Sequence, residues 1–145
     1  MKNLNKYINE AISGVKNQSL KSDIESWCKE VGIKKYTINN KGEIDVNTEV
    51  NLEYINTKEL PYKFGKVNGN FIMCNADELI SLKNCPNHVT GYVDVSYNKR
   101  LKSLDGFPKR VDGDIYVNDC FGDFTQEDVL KVCKIFKKGK IYTEF

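Results

Sequence analysis

At 145 residues, 40% of them apolar and 29% charged, the chain has room for one domain with a small appendage and enough apolar material for a core. A formal net charge of +2 is too small to imply nucleic-acid binding by itself. No apolar run approaches the roughly 18 residues of a membrane span, and the N-terminus lacks the continuous apolar stretch of a secretory signal.

Cys28, Cys74, Cys85, Cys120 and Cys133 form no CxxC pair. Their odd number, without an export signal, indicates free thiols in a reducing cytoplasm. With His88 the single histidine, a structural zinc site is not expected.

Leu4, Tyr7, Ile8, Ala11 and Ile12 follow helical spacing, so residues 3–13 are predicted to form a helix that stops at Gly14. A second helix is expected from the capping-box pattern Ser22-Asp23-Ile24-Glu25, with Ile24, Trp27, Cys28 and Val31 as its apolar stripe and Gly32 as its stop. Trp27 is expected to be a core anchor. Tyr36–Ile38 and Glu43–Val46 alternate β-formers around Asn39-Asn40-Lys41-Gly42, a hairpin signal.

From Leu60 onward the chain repeats every 22 residues. Leu60, Leu82 and Leu104 align, as do Val67, Val89 and Val111, then Gly69, Gly91 and Gly113. The pairs Phe71/Met73, Val93/Val95 and Ile115/Val117 come next, and Val50/Leu52 precedes them at a spacing of 21. A fixed period in the twenties means a solenoid, whose open N-terminal end the Trp27 helix is expected to cover. Alternating apolar pairs mean short strands buried on one face, stacked in parallel. The glycine column implies a tight bend with positive φ at the entry to each strand. Beyond the repeats, Thr125 is an expected N-cap, Val129, Val132, Cys133 and Phe136 give a helical stripe ended by Lys137-Lys138-Gly139-Lys140, and Ile141–Phe145 is an expected edge-covering strand.

Ser81-Leu82-x-x-Cys85-Pro86-x-x-Val89-x-Gly91 and Ser103-Leu104-x-Gly106-Phe107-Pro108-x-x-Val111-x-Gly113 resemble the short leucine-rich repeats of bacterial and phage proteins, over roughly residues 44–120. In those repeats the column of Ile55, Ala76, Asn98 and Cys120 takes Asn or Cys turned inward, which fits Asn98 and Cys120 only. Tyr36–Asn39, Leu60-Pro61-x-Lys63-Phe64-Gly65-x-Val67 and Phe124-Thr125-x-Glu127-x-Val129 resemble an uncharacterised group from large tailed phages, a likeness that implies a fold but no activity. The start, Tyr7-Ile8-Asn9-Glu10-Ala11, is similar to the capsid-targeting leaders of internal head proteins of large myophages, which are cut after (Leu/Ile)-x-Glu; this points to cleavage between Glu10 and Ala11. The other reading of residues 3–13 is a helix packed on the repeats.

The expected fold is therefore an α/β solenoid: a short leucine-rich-repeat-like parallel sheet of about four turns with helical caps at both ends. Residues 1–34 form the N-terminal cap (1–10 the leader in the cleavage reading), 35–124 the repeats and 125–145 a helix–strand cap. No catalytic or metal-binding residues and no cofactor are assigned. His88 reads as a solvated loop residue without a nucleophile beside it, and no phosphate-binding glycine motif occurs. The outward strand residues Asn51, Glu53, Ile72, Cys74, Asp94, Ser96, Tyr116 and Asn118, flanked by Tyr54 and Tyr97, form the expected contact face for a protein partner. Lys99, Arg100, Lys102, Lys109, Arg110, Lys131, Lys134, Lys137, Lys138 and Lys140 form a basic set with few interleaved aromatics, which argues against a nucleic-acid partner. The resulting expectation is a non-enzymatic interaction module, phage-encoded and acting in the cytoplasm of an infected cell, or alternatively a virion protein carried in the capsid. Membrane association is not expected, and the sequence does not indicate an oligomeric state.

Overall fold

The computed structural model describes residues 4–136 and 138–144. They divide into two compact units, one ending at Gly32 and one beginning at Ile33. No helix among the described residues is long and apolar enough to cross a membrane.

The first unit is one helix, α1 (Leu4–Glu30), instead of the two expected. Gly14 does not stop it. A glycine ends a helix by turning left-handed, and Gly14 lacks a positive φ, whereas Gly32 has one of +77°. A mid-helix glycine costs only about 1 kcal/mol relative to alanine, and Ser22 lies within the helix rather than capping it. Ile24 and Cys28 are buried; Leu4, Ile8, Ile12 and Val15 are exposed. On one straight helix these two sets point to roughly opposite sides. The side chains of Tyr7 and Glu10 lie outside the described residues.

The second unit opens with the predicted hairpin. Strands β1 (Tyr36–Ile38) and β2 (Ile44–Val46) pair antiparallel, with Tyr36 opposite Val46. The Asn39 side chain closes its turn by accepting the Lys41 and Glu43 amides at 2.9 and 3.0 Å. From β2 the chain winds into a parallel solenoid with two strands in each turn. One sheet, here sheet A, runs β1, β2, β4 (Phe64–Val67), β6 (His88–Val89), β8 (Arg110–Val111) and β10 (Ile135–Phe136). The other, sheet B, runs β3 (Val50–Asn51), β5 (Phe71–Ile72), β7 (Val93–Asp94), β9 (Ile115–Tyr116) and β11 (Ile141–Tyr142). Sheet B is the ladder foreseen from the repeats, with Phe71, Val93 and Ile115 in register. Sheet A is an addition: the Val67, Val89 and Val111 column is a second line of strands.

The core lies between the sheets and the return loops. Val50, Phe71, Val93 and Ile115 from sheet B and Val46, Val67, Val89 and Val111 from sheet A are buried, as are Leu60, Leu82 and Leu104 behind them. In the return loops the Ser81 and Ser103 hydroxyls each accept the amide two residues on, that of Lys83 or Asp105, at 3.0 Å. Asn84 (φ +72°) and Gly106 (φ +92°) then take the left-handed turn. Asn98 turns inward as expected. Its amide nitrogen donates to the Met73 and Val95 carbonyls at 2.9 and 2.8 Å, and its oxygen accepts the Ala76 amide at 2.9 Å. One turn on, the Cys120 thiol donates to the Val95 carbonyl at 3.1 Å.

The glycine column has a different cause from the one its spacing suggests. Neither Gly91 nor Gly113 has a positive φ. Each instead lies against the turn before it: a Cβ on Gly91 would fall 2.8 Å from the Gly69 carbonyl carbon, and one on Gly113 2.6 Å from that of Gly91. The Gly91 and Gly113 amides donate to the Gly69 and Gly91 carbonyls at 2.9 and 3.0 Å. Gly139 belongs to the same column, its Cβ position blocked by Gly113. Left-handed residues do recur in each turn, but at the exits from sheet B, as Tyr54, Asn75, Tyr97 and Asp119.

The C-terminal helix is shorter than its stripe suggests. Helix α2 (Gln126–Val132) starts with a capping box: the Thr125 hydroxyl accepts the Asp128 amide at 3.2 Å, and the Asp128 carboxylate accepts the Thr125 amide at 2.9 Å. It ends before Phe136, because Cys133 is extended (φ −91°, ψ 101°) and the Lys134 and Ile135 amides bond to the Lys109 carbonyl, starting β10. Beyond it, β11 pairs in parallel with β9, covering that edge as expected. Lys137 and Phe145 lie outside the described residues.

Gly113→Ala is expected to lower stability by about 2 kcal/mol or more, since a methyl group must displace backbone in the adjacent turn. Gly14→Ala, with nothing within 4 Å of its Cβ position, should instead raise helicity. Urea unfolding of both variants checks the pair; equal effects would remove the close-approach explanation.

Candidate interaction face

Three positions per turn lie along the outward side of sheet B by strand parity. The first holds Glu49, Asn70, Tyr92, Asp114 and Lys140. The second, in strand register, holds Asn51, Ile72, Asp94, Tyr116 and Tyr142. The third begins with Glu53 and Cys74 and continues with Ser96 and Asn118.

The first column is tied laterally. Asn70 donates to the Glu49 carboxylate at 2.9 Å and accepts the Tyr92 amide at 3.0 Å. The Lys140 amide donates to the Asp114 carboxylate at 2.8 Å. In the second column Tyr116 and Tyr142 stack with ring centroids 4.7 Å apart and planes 6° from parallel, while Tyr92 meets Tyr116 edge-on at 5.8 Å. Sequence reasoning identified Tyr116 but not Tyr92, Tyr142 or Asp114. The pattern of Tyr92 and Asp114 was readable, since both precede a strand by one residue. Tyr142 was not, because the last turn is longer: Ile141 pairs with Ile115, 26 residues earlier.

The third column requires correction. Cys74, Ser96 and Asn118, expected to face outward with Glu53, are buried. Each is followed by a left-handed residue (Asn75, Tyr97, Asp119), as exposed Glu53 is by Tyr54, but each follows an interior strand with a neighbour on both sides, whereas Glu53 follows the edge strand β3. Ser96 bonds back to Asp94, which accepts both its amide and its hydroxyl, at 3.0 and 2.5 Å. Asn118 donates to the Asp119 carboxylate at 3.0 Å. Glu53 and Asn51 are exposed as predicted, and Tyr54 projects at 71% exposure. Asp94, Ile72, Tyr97 and Tyr116 are half-exposed.

Electrostatics around the face follow its carboxylates. Tyr116 is held above the usual tyrosine range by burial, then by Asp114, Tyr142 and Asp94; Tyr92 is raised by burial, then by Glu49 and Asp94. Burial pushes the Cys74 thiol up to about 11, with Asp94 and Glu53 adding to it. Burial likewise holds Cys120 at about 11 and Cys85 at about 12. All five cysteines are buried free thiols, and a thiol near 11 is ionised to roughly one part in 10⁴ at neutral pH.

His88 is not a loop residue. It lies on β6 with its Nε2 2.9 Å from the Asp112 carboxylate, whose other oxygen accepts Arg110 Nε at 2.9 Å. The His88 hydrogen bond holds Asp112 below the ordinary carboxylate range, with Arg110 assisting. Asp128 is lowered by the Thr125 amide and hydroxyl. Among the described residues no group of His, Cys, Asp and Glu is placed to hold a metal ion.

Several of the basic residues pair with acids, and Lys99, Arg100 and Lys102 line one shallow cavity with Ile80 and Phe121. Arg100 reaches Glu78 at 2.7 Å and Lys99 reaches Asp77 at 4.0 Å, each one turn away, and Lys131 reaches Glu127 at 3.8 Å. Lys102 stands 5.2 Å from the Phe121 ring centroid. The Glu10–Ala11 bond lies within α1, with Ala11 exposed. Comparison with protein-family models, curated proteins and solved structures finds no match to this chain.

Two outcomes are expected. A thiol reagent such as Ellman's should label none of the five cysteines rapidly in the folded chain and all five in denaturant; fast native labelling of Cys74 would contradict its burial. Asp112 and Asp128 have depressed folded-state pKa values, so their stabilisation is present above the unfolded value near 4 and is lost as pH falls through the folded values. Thermal melts should show a falling melting temperature below about pH 4, with a smaller fall in Asp112→Asn.

Proposed function

We propose that this chain is a non-enzymatic binding module that recognises a protein partner through the outward face of sheet B. The observation that carries this reading is the tyrosine cluster. Tyr92, Tyr116 and Tyr142 are held against one another on a sheet whose register is fixed, so the aromatic area is ordered before any partner arrives. Tyrosine is enriched at the centres of protein interfaces, where its ring supplies area and its hydroxyl remains hydrogen-bonded. Ile72 and the exposed Tyr54 extend the surface. The resemblance of the repeats to those of tailed-phage proteins makes a phage or host protein the partner class to search.

A photo-crosslinking residue at position 72, outward on β5, should capture a discrete protein from cells expressing the chain. The same residue at position 68, on the corner beside sheet A, should not. Equal capture from both positions, or none from position 72, would remove sheet B as the recognition face.

A further inference from the structure

We propose that the partner segment docking on sheet B is cationic and arginine-bearing, with its guanidinium groups lying over the tyrosine cluster between the carboxylates. This rests on the assignment of sheet B as the recognition face and adds the chemistry of what it recognises.

The first argument is charge segregation. The chain as a whole carries slightly more Lys and Arg than Asp and Glu, 22 against 20. The outward positions of sheet B reverse that balance: Glu49, Glu53, Asp94 and Asp114 stand there, with Lys140 as the cation among those described. On sheet A the outward positions mix the signs: Asp45 stands beside Lys66, whose amide it accepts at 2.9 Å, and Asp112 is paired with both His88 and Arg110. Sheet B thus carries an excess of acid over its own cations, whereas Asp112 beside sheet A is already ion-paired, and that excess attracts a cationic partner and repels nucleic acid.

The second argument is the placement of acid among rings. Asp94 and Tyr116 are register partners on adjacent strands, and Asp114 sits one residue before the β9 strand that carries Tyr116. The negative field reaches the rings, since carboxylates of this face contribute to the raised pKa values of both Tyr92 and Tyr116. A guanidinium suits such a surface better than an ammonium. It is planar, stacks on an aromatic ring and keeps its N–H fork free for a carboxylate beside the ring. Asp94 and Asp114 each have one oxygen engaged by a neighbouring group, and a carboxylate accepts at both oxygens. Stacking and ion pairing therefore converge at the same place.

The test uses the full chain and a fluorescein-labelled nona-arginine peptide, with nona-lysine and an aspartate nonamer as comparisons. Nona-arginine is expected to bind at 20 mM NaCl, to weaken at least tenfold at 300 mM, and to shift amide resonances of sheet B and not of sheet A. Nona-lysine should bind more weakly and the aspartate nonamer not at all. The double variant Asp94→Asn/Asp114→Asn keeps an oxygen acceptor for each native hydrogen bond, so it should retain the fold and weaken nona-arginine at least tenfold. Tyr142→Leu, on the edge strand, should weaken it independently. Absence of nona-arginine binding, or binding indifferent to these substitutions, overturns the proposal. Crosslinking from position 72 separates the two readings. If it captures a partner that nona-arginine does not displace, and the captured segment lacks arginine and lysine, sheet B remains the recognition face and its cationic specificity is wrong.

Discussion

The structure depends on the contact of one corner with the next. At Gly69, Gly91, Gly113 and Gly139 the backbone of each turn touches the backbone of the turn before, so closely that no Cβ fits between them. That single contact has two consequences. It fixes the rise from turn to turn where the chain passes from sheet A to sheet B, so both sheets inherit one register. It also explains why Thr48 can open the column without being glycine: it belongs to the first turn, and no earlier turn of the stack lies beneath it. Backbone hydrogen bonds between glycines supply part of the cohesion, and the absence of a side chain supplies the room for them.

With the corners fixed, the remaining question for a narrow solenoid is how to satisfy backbone groups where strands end inside the core. Asn98 and Cys120 answer it one turn apart, both donating to carbonyls of the preceding turn. Asn98 also accepts the Ala76 amide and so uses both ends of its side chain. The next column outward bears the conformational cost. Tyr54 and Tyr97 accept a left-handed backbone that disfavours a bulky residue. The ladder offsets that cost, since their amides donate to the Cys74 and Asn118 carbonyls at 3.1 and 3.0 Å. The same bend follows exposed Glu53 on the edge strand and buried Ser96 on an interior one, so cover from neighbouring strands decides which side chains the face can offer.

Sheet B was legible because its strands carry two apolar residues in alternation, and the period of 22 made the alignment unambiguous. Of sheet A only the β1–β2 hairpin was, because β6 and β8 each bury a single valine and are bordered by residues with turn preferences; a column of Val67, Val89 and Val111 reads equally as a loop anchor. The glycine column was visible but its cause was not, since sequence shows that a side chain is excluded and does not show by what. Val129, Val132, Cys133 and Phe136 satisfy helical spacing completely, yet Lys134 and Ile135 find a better backbone acceptor in Lys109 of the adjacent turn than a longer helix provides. At the other end, Gly14 looked like a stop because glycine ends helices often, although only a left-handed φ does so. Of the face, Asn51, Glu53, Ile72, Asp94 and Tyr116 were readable from alternation. Cys74, Ser96 and Asn118 had the same parity and were misplaced, because parity gives the side of a strand and not its cover: they follow interior strands with a neighbour on each side, whereas Glu53 follows the edge strand β3.

The last turn shows how the face reaches its final form. Ile141 comes 26 residues after its partner Ile115, and Ile135 comes 25 after Arg110, where the earlier turns of sheet B use 21 or 22. Most of the excess precedes β10, in the stretch that contains α2, and the rest falls in the corner before β11. Both strands of the turn therefore still pair, and Gly139 still meets Gly113. Had the single extra residue of the corner fallen within β11, Tyr142 would have moved to the other face of the sheet, since successive side chains alternate. Because it falls outside the strand, Tyr142 lands in register with Tyr116 and the two rings stack. The aromatic cluster is thus a product of where the insertion sits. A solenoid can lengthen its return loops freely and still present a continuous sheet face, provided that its corners keep their glycines.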